Sequence, residues 1–383
     1  MLRAIKVRLY PSKVQRTLFD KNIGCCRFVY NRMLATSREA YETTGKTVHK
    51  NDLIKMITPL KQQLEFAWLQ EVDSQSLQQA VIDMDKAYQN FFKHGRGFPK
   101  FKKKSHVGSF RCTVGCRCDA KLKIGKHTPV KFRCSARDRE ILQNTKIRNI
   151  TVSRDAGHYY ASCLVDLSDV EYQGHPLEKV GIDVGVRKPL SLAFSVDGTL
   201  KFRTWGLHFS NNLASKEERR KKYQKAYSRK RACSNNAKKA RLRVARAYMK
   251  ERNCRKEFVE QVSHRLTSTF AAINFEGLNL KGMTKSAKGT VENPGKNVSA
   301  KSGLNRELLR IGIGALMLRT AQKADQRGSI VNFVNPKNTS RKCSCCGHTE
   351  KDNRKSQAVF KCVACGYTKN ADYNAAKNIL RAA

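Results

Sequence analysis

Residues 3 to 9 (Arg-Ala-Ile-Lys-Val-Arg-Leu) alternate polar and apolar, the period of a strand with one buried face, and Tyr10-Pro11-Ser12 ends the run. Helical spacing follows. The clearest helix is predicted to start at Asp73 or Ser74, both good caps. Leu77, Val81, Met84, Tyr88 and Phe91 then recur at steps of four and three until Gly95-Arg96-Gly97. That stripe reads as core. From about 106 to 168 the pattern is β. Ile147, Ile150 and Val152 lead into the turn Arg154-Asp155-Ala156-Gly157, and Tyr159 to Asp166 returns, so a hairpin is expected. Val180, Ile182, Val184 and Val186 alternate with Gly181, Asp183 and Gly185. Further strands are predicted at Leu190 to Val196, turned by Asp197-Gly198, and around Lys201 to Thr204. Residues 216 to 256 favour helix and Ser234-Asn235-Asn236 breaks them, which predicts a helical hairpin. Phe270 to Gly277 is a second apolar strand. Residues 281 to 303 read as a mobile loop, Leu304 to Asp325 as one helix, Ile330 to Val334 as a strand and Asp372 to Leu380 as a last helix.

Charge changes the picture most. Among 383 residues, 76 are Lys or Arg and 31 are Asp or Glu, a net of +45. With 40% hydrophobic residues the chain can build a core, so the surplus points to a polyanionic partner, and a nucleic acid before a membrane. A basic protein that merely packs against RNA is the plainer alternative. Residues 216 to 256 hold 18 Lys or Arg against Glu217, Glu218 and Glu251, a density that repels itself unless phosphates neutralise it. The segment Gly97-Phe-Pro-Lys-Phe-Lys-Lys-Lys104 mixes rings with cations, which suits a nucleic-acid backbone beside a stacking surface; a solvated charged loop is the alternative. No run of about 18 apolar residues spans a membrane and no export signal is legible. The expected location is the cytoplasm of a prokaryote, in association with the nucleoid, and the fourteen cysteines are then reduced thiols or metal ligands.

Three carboxylates stand out. A buried strand does not carry a lone acid such as Asp183 unless a cation or a set of donors compensates it. Asp183 therefore reads as a metal ligand, or as an Asp hydrogen-bonded in a tight bulge. Glu276 ends the second apolar strand, 93 residues on, and Asp372 opens the last helix after 96 more, where a helix cap or first-turn acid is the simpler reading. Together they suit hydrolysis of a phosphodiester. Two divalent cations about 3.5–4 Å apart, held by shared carboxylates, activate a water and stabilise the leaving oxygen. Hard oxygen ligands select Mg²⁺ or Mn²⁺. An acid on the first strand of a meander, one on a later strand and one on a terminal helix is the order of an RNase-H-like fold. Cys343, Cys346, Cys362 and Cys365 have the C-x2-C-x15-C-x2-C spacing of a structural Zn²⁺ site, each second cysteine followed by glycine (Gly347, Gly366); Cys345 and His348 leave the first pair slightly ambiguous. Cys112, Cys116, Cys118 and Cys134 form a looser cluster, read as free thiols or a second metal site.

Gly181-Ile-Asp-Val-Gly185, Phe275-Glu-Gly-Leu-Asn279, Asn335-Pro-Lys-Asn-Thr-Ser340 before the cysteines, and Ala371-Asp-Tyr-Asn-Ala-Ala376 resemble the TnpB family of transposon-associated RNA-guided DNA endonucleases. Arg8-Leu-Tyr-Pro11 and Gly97-Phe-Pro-Lys-Phe101 extend the likeness over nearly the whole chain. The resemblance implies a multidomain α+β protein. A wedge-like β-barrel would take 1–10 and 106–175, and a helical recognition domain 11–105. A RuvC-like nuclease domain would take 176–335 and 367–383, with a zinc ribbon at 336–366 that binds target nucleic acid. It implies Asp183, Glu276 and Asp372 as catalytic Mg²⁺ ligands. It also implies a guide RNA from the transposon end, a double-stranded DNA target read beside a short adjacent motif, as in type V CRISPR effectors, and a monomer. Two positions depart from the family pattern: Gly277 stands where an Asp often follows the Glu, and Glu260-Gln-Val-Ser263 where a His-Lys-x-Ser often stands. A nuclease-silent guided repressor and a strand-transfer transposase are the alternatives.

Overall fold

The computed structural model describes residues 2–104, 107–167, 174–185 and 188–382 and divides into two units, Met1–Asp169 and Val170–Ala383.

The first unit begins with β1 (Leu2–Tyr10), in which Ile5, Val7 and Leu9 are the buried positions, as the alternation predicts. Helices α1 (Lys13–Thr44), α2 (Lys50–Lys55), α3 (Ile57–Gln62) and α4 (Ser74–His94) follow. Ser12 and Gln15 close a capping box on α1. Asp73 caps α4 and left-handed Gly95 ends it, both where the sequence puts them. Then come β2 (Gly108–Cys112), the short β3 (Arg117–Cys118) and β4 (Leu122–Lys123), β5 (Lys131–Arg133), α5 (Ala136–Asn144), β6 (Ile147–Asp155) and β7 (His158–Asp166). The sheet order is β2-β6-β7-β1-β5. Ala156 and Gly157, both at positive φ, make the two-residue turn between β6 and β7. Phe19 of α1 reaches the sheet, its ring 5.7 Å from Phe110 and 5.8 Å from Tyr159. The β pattern expected for 106–168 is interrupted by α5, capped by Ser135, whose nine residues are too few to show a helical stripe.

The second unit is built on β8 (Leu177–Asp183), β9 (Leu190–Val196) and β10 (Thr199–Trp205), then α6 (Leu207–Ser228), α7 (Asn235–Thr269) and β11 (Phe270–Glu276). After α8 (Leu280–Met283), α9 (Val298–Ile311) and α10 (Ile313–Asp325) comes β12 (Ile330–Val334); β13 (Val359–Lys361), β14 (Thr368–Asn370) and α11 (Ala371–Arg381) complete it. The sheet order is β10-β9-β8-β11-β12. β8, β9 and β10 form an antiparallel meander, and β11 runs parallel to β8 and β12. β8 ends at Asp183, and Val186, the last position of the expected strand, lies outside the described residues. Ser234 caps α7, so the basic hairpin breaks where expected, but α7 runs on to Thr269.

Two expectations give way. The helix predicted over Leu304–Asp325 is two helices, because Gly312 turns left-handed (φ 77°) between them and its apolar neighbours hide the break. The loop predicted over 281–303 is non-helical only from 284 to 297; Lys301 Nζ donates to the Met283 carbonyl (2.6 Å) and ties the start of α9 back to α8. Glu260, on the departing Glu-Gln-Val-Ser stretch, pairs with Arg319 and Lys323 of α10 at 3.0 Å each, so that stretch holds α7 to α10.

One contact places the chemistry. A Cβ on Gly181 would lie 2.4 Å from the Ala376 carbonyl oxygen and 2.4 Å from the Leu380 amide nitrogen, so α11 rests directly on the backbone of β8. Ala193, Ala376 and Leu380 bury the rest of that contact. The clash is with backbone, which cannot swing aside. Gly181→Ala is expected to cost about 1–3 kcal/mol, read as a lower unfolding midpoint in urea, and a midpoint equal to wild type would show that α11 does not depend on this approach.

Candidate active site and zinc knuckle

Residues two apart on a strand share a face, so Asp183 points to the side of β8 that Gly181 leaves open to α11. β8 and β11 pair in parallel with Phe275 opposite Ile182, and the next residues are Asp183 and Glu276, side by side at the carboxyl ends of adjacent strands. Asp372 lies in the first turn of α11, capped by Asn370, whose Oδ1 accepts from the Asp372 amide at 3.1 Å. Three acids far apart in sequence thus share one end of the sheet.

The electrostatics agree. Burial, then the charges of Glu276 and Asp372, pushes Asp183 up to about 7 from 3.8, while Arg354 pulls the other way. Burial also raises Glu276, against a hydrogen bond from Thr339 and the charge of Arg354. Thr339 Oγ1 donates to Glu276 Oε1. Lys188 Nζ lies 3.2 Å from Asp372 Oδ2. Among the described residues the three carboxylates do not converge to the mutual 4.8 Å spacing that the four thiols show. A cation at this end would relieve the part of the Asp183 shift that repulsion from Glu276 and Asp372 adds to burial.

The sequence reading missed Thr339, Lys188 and Arg354. Thr339 and Arg354 lie in the motif before the cysteines and in the knuckle between the pairs, where spacing shows zinc and hides what the loop reaches. Asn353 fixes Arg354: it is fully buried, and its Nδ2 donates to the carbonyls of Arg341 (3.0 Å) and His348 (3.2 Å).

Cys343 and Cys365 have their sulfurs 3.7 Å apart, as do Cys346 and Cys362, and all four lie within 4.8 Å of one another. Zn–S bonds of about 2.3 Å in a tetrahedron put sulfurs about 3.8 Å apart, so this cluster fits zinc. Gly347 and Gly366 take positive φ, and their amides donate to Cys343 and Cys362 carbonyls at 3.0 Å, closing the two knuckles. Cys345 stays outside the cluster, though its amide points at Cys343 Sγ (3.4 Å). Cys112, Cys116, Cys118 and Cys134 form no such group among the described residues. Burial pushes Cys112 up to about 12 and Cys118 to about 11, so both remain thiols.

The two basic segments differ. Between α6 and α7 a cleft of about 410 Å³ is lined by Lys216, Arg219, Tyr223, Arg243, Arg246 and Lys250 with no acid. Two of the three acids of 216–256 are engaged elsewhere: Glu251, buried, with Arg220 (2.7 Å) and Arg255 (3.4 Å), and Glu217 with Arg310 (2.9 Å). In the 97–104 segment the rings stay exposed but carry a cation of the chain itself. Arg38 lies 5.0 Å from the Phe98 ring and 4.8 Å from Phe101, and Asn31 exchanges two hydrogen bonds with the Lys102 backbone. Lys100, Lys103 and Lys104 are exposed, whereas Lys102 Nζ lies 3.8 Å from the centre of the Tyr30 ring.

Three family profiles match the chain: a helix-turn-helix domain of the OrfB/IS605 type over 1–46, a probable transposase of the same type over 162–287, and a Cas12f1-like TNB domain over 314–379. The first name does not describe what is seen, since 2–10 is a strand and 13–44 one continuous helix. The TnpB-like protein L79 of Acanthamoeba polyphaga mimivirus is 31% identical over 39% of the chain and 26% of its own length. InsQ of Escherichia coli K12, named for an RNA-guided DNA endonuclease activity, is 36% identical over 100% of this chain and 92% of its own. The chain belongs to the TnpB family. Its fold is also that of Cas12f1 in a complex with sgRNA and target DNA, with a TM-score of 0.58 at 12% identity over 99% and 98% of the two chains. No helix of this TnpB-family chain is long and apolar enough to cross a membrane, among the described residues.

Two measurements test the sites without any activity assay. The purified chain is expected to carry one zinc per polypeptide by mass spectrometry of bound metal, and Cys362→Ser to lose it; a stoichiometry near zero in wild type would sink the zinc assignment. Asp183 binds its proton more tightly folded than unfolded, so the metal-free protein loses stability as pH rises from about 4 through about 7. Asp183→Asn cannot ionise. It is therefore expected to raise the melting temperature of metal-free protein near pH 8 and to lose that advantage near pH 4.

Proposed function

We propose that the chain is an RNA-guided DNA endonuclease of a transposon, and that the sheet of its second unit is an RNase-H-like, RuvC-type nuclease core. The strand order 3-2-1-4-5, with the last two strands parallel to the first, supports that reading. The observation that carries it is the placement of Asp183, Glu276 and Asp372 at one end of this sheet, where burial first, and then the charges of the other two acids, push Asp183 up to about 7.

In this reading Asp183, Glu276 and Asp372 hold a pair of Mg²⁺ or Mn²⁺ ions. When bound, such ions make a water nucleophilic and stabilise the leaving oxygen of a phosphodiester. The chain's own residues do the rest. Thr339 orients Glu276 through its hydroxyl. Arg354, whose charge acts on both Asp183 and Glu276, adds a fixed cation where the negative charge of the scissile phosphate collects. Lys188 pairs with Asp372 and neutralises part of its charge. The ribbon at 336–366, with zinc on its four cysteines, sets the start of α11.

The partners follow from charge and kinship. A net of +45 and the acid-free cleft between α6 and α7 suit phosphate backbones. The relative InsQ, matched along the whole chain, is named for guided DNA cleavage. We assign this chain a guide RNA from the transposon end and a double-stranded DNA target cut beside a short adjacent motif. The first-unit sheet serves as the wedge, α1 to α4 as the recognition helices, and the protein acts as a monomer in the prokaryotic cytoplasm at the nucleoid.

Asp183→Ala is expected to abolish cleavage of a guide-matched plasmid in Mg²⁺ while guide RNA binds with near wild-type affinity. Retained cleavage would refute the assignment, and loss of RNA binding would make Asp183 a structural residue.

A further inference from the structure

Thr339 belongs to the Asn335-Pro-Lys-Asn-Thr-Ser340 motif, to which the sequence reading gave no chemistry of its own. It is buried, and it stands at the start of a strap, residues 339–344, that runs into the first zinc knuckle. The strap makes contacts in two directions. Toward β11, Thr339 Oγ1 donates to Glu276 Oε1. Toward α11, it is gripped by two asparagines one turn apart, Asn374 and Asn378, both buried. Asn378 Nδ2 donates to the carbonyls of Thr339 (2.9 Å) and Lys342 (2.7 Å). Asn374 Nδ2 donates to the Lys342 carbonyl at 2.8 Å, and its Oδ1 accepts from the Ser344 amide at 2.9 Å. Asn374 is two residues past Asp372.

We propose that Thr339 is a positioning residue for metal binding, its hydroxyl fixing the Glu276 carboxylate while the strap behind it fixes the helix of Asp372. The proposal rests on the nuclease reading above. Its physical basis is simple. A glutamate has three rotatable bonds, and holding one of its conformers costs rotamer freedom. A donor on Oε1 removes that freedom before an ion arrives and leaves Oε2 available. The donor is itself immobile, because Asn378 holds the Thr339 backbone and the knuckle holds the next residues. One short strap thereby sets two ligands from two different elements.

The test is Mn²⁺ binding to RNA-stripped full-length protein, followed by the paramagnetic resonance of free Mn²⁺, with zinc content and melting temperature measured on the same samples. Thr339→Val keeps the shape and removes the hydroxyl. It is expected to weaken Mn²⁺ binding about 10- to 100-fold with zinc content and melting temperature unchanged, and Thr339→Ser is expected to restore wild-type affinity. Should Thr339→Val fold poorly, Thr339→Ala against Thr339→Ser makes the same comparison. Mn²⁺ binding lost in Asp183→Asn yet unchanged in Thr339→Val overturns this proposal and leaves the nuclease reading standing. A Thr339→Ser protein as defective as Thr339→Val also overturns it, since the hydroxyl would then not be the agent. Mn²⁺ binding that Asp183→Asn does not alter refutes the underlying site instead.

Discussion

Helix α11 touches β8 backbone to backbone, and the site depends on that contact. Eleven residues make a helix too short to persist by its own hydrogen bonds. Its place is set from outside, by the missing side chain of Gly181, by Ala193 beneath Ala376, and by Asn370 at its first turn. Because Gly181 and Asp183 lie on one face of β8, the helix that fills the space over the glycine also delivers Asp372 toward the aspartate. The other glycine noted beside the family pattern is tight for a similar reason. The Gly277 amide donates to the Val334 carbonyl at 2.8 Å, and a Cβ there would lie 3.3 Å from that oxygen. A larger residue at 277 would press on the edge of β12 just past Glu276.

A chain with a net of +45 still builds a locally negative centre, and it does so by how it distributes its few acids. Glu217, Glu251 and Glu260 are spent on arginines and a lysine between helices, where they hold α6, α7, α9 and α10 together. Among the described residues, Asp183 and Glu276 receive no such full partner. They have a hydroxyl, a more distant guanidinium and each other. That imbalance keeps the carboxylates receptive to a cation, and it leaves the flanks of the hairpin to phosphate.

Local signals were legible where a few adjacent residues decide the outcome. Asp73 and Gly95 mark both ends of α4, Asp197-Gly198 turns β9 into β10, and Ser234 starts α7. Asp183 and Glu276 stood out because a lone carboxylate closing an apolar strand is costly, whereas Asp372, at a helix start, carries no such signal. What was hidden depends on space. Gly312 breaks a helix whose apolar period runs on through Ile311 and Ile313. The rings of Phe98 and Phe101 stay exposed, but Arg38, some sixty residues earlier, lies against them, and no local pattern shows it. Thr339 and Arg354 carry no pattern of their own, since a threonine in a loop and one more arginine in a basic chain are unremarkable until the knuckle folds them toward Asp183 and Glu276.

The position of the four-cysteine ribbon follows from the same geometry. A ribbon serving only to bind a partner could be inserted in any surface loop. Here it occupies the connection between β12 and α11, the one link that joins the strand beside Glu276 to the helix of Asp372. β14 passes into α11 without an intervening residue, so the second knuckle fixes the helix start along the chain. The first knuckle fixes its side, through Asn374 and Asn378. A short helix gripped at its start and along one flank by a ribbon whose four thiols cluster has little freedom left to tilt. The four thiols thus govern the placement of a carboxylate they never touch, which explains why the cysteines and the last acid sit so close together in a chain whose other two acids are far away.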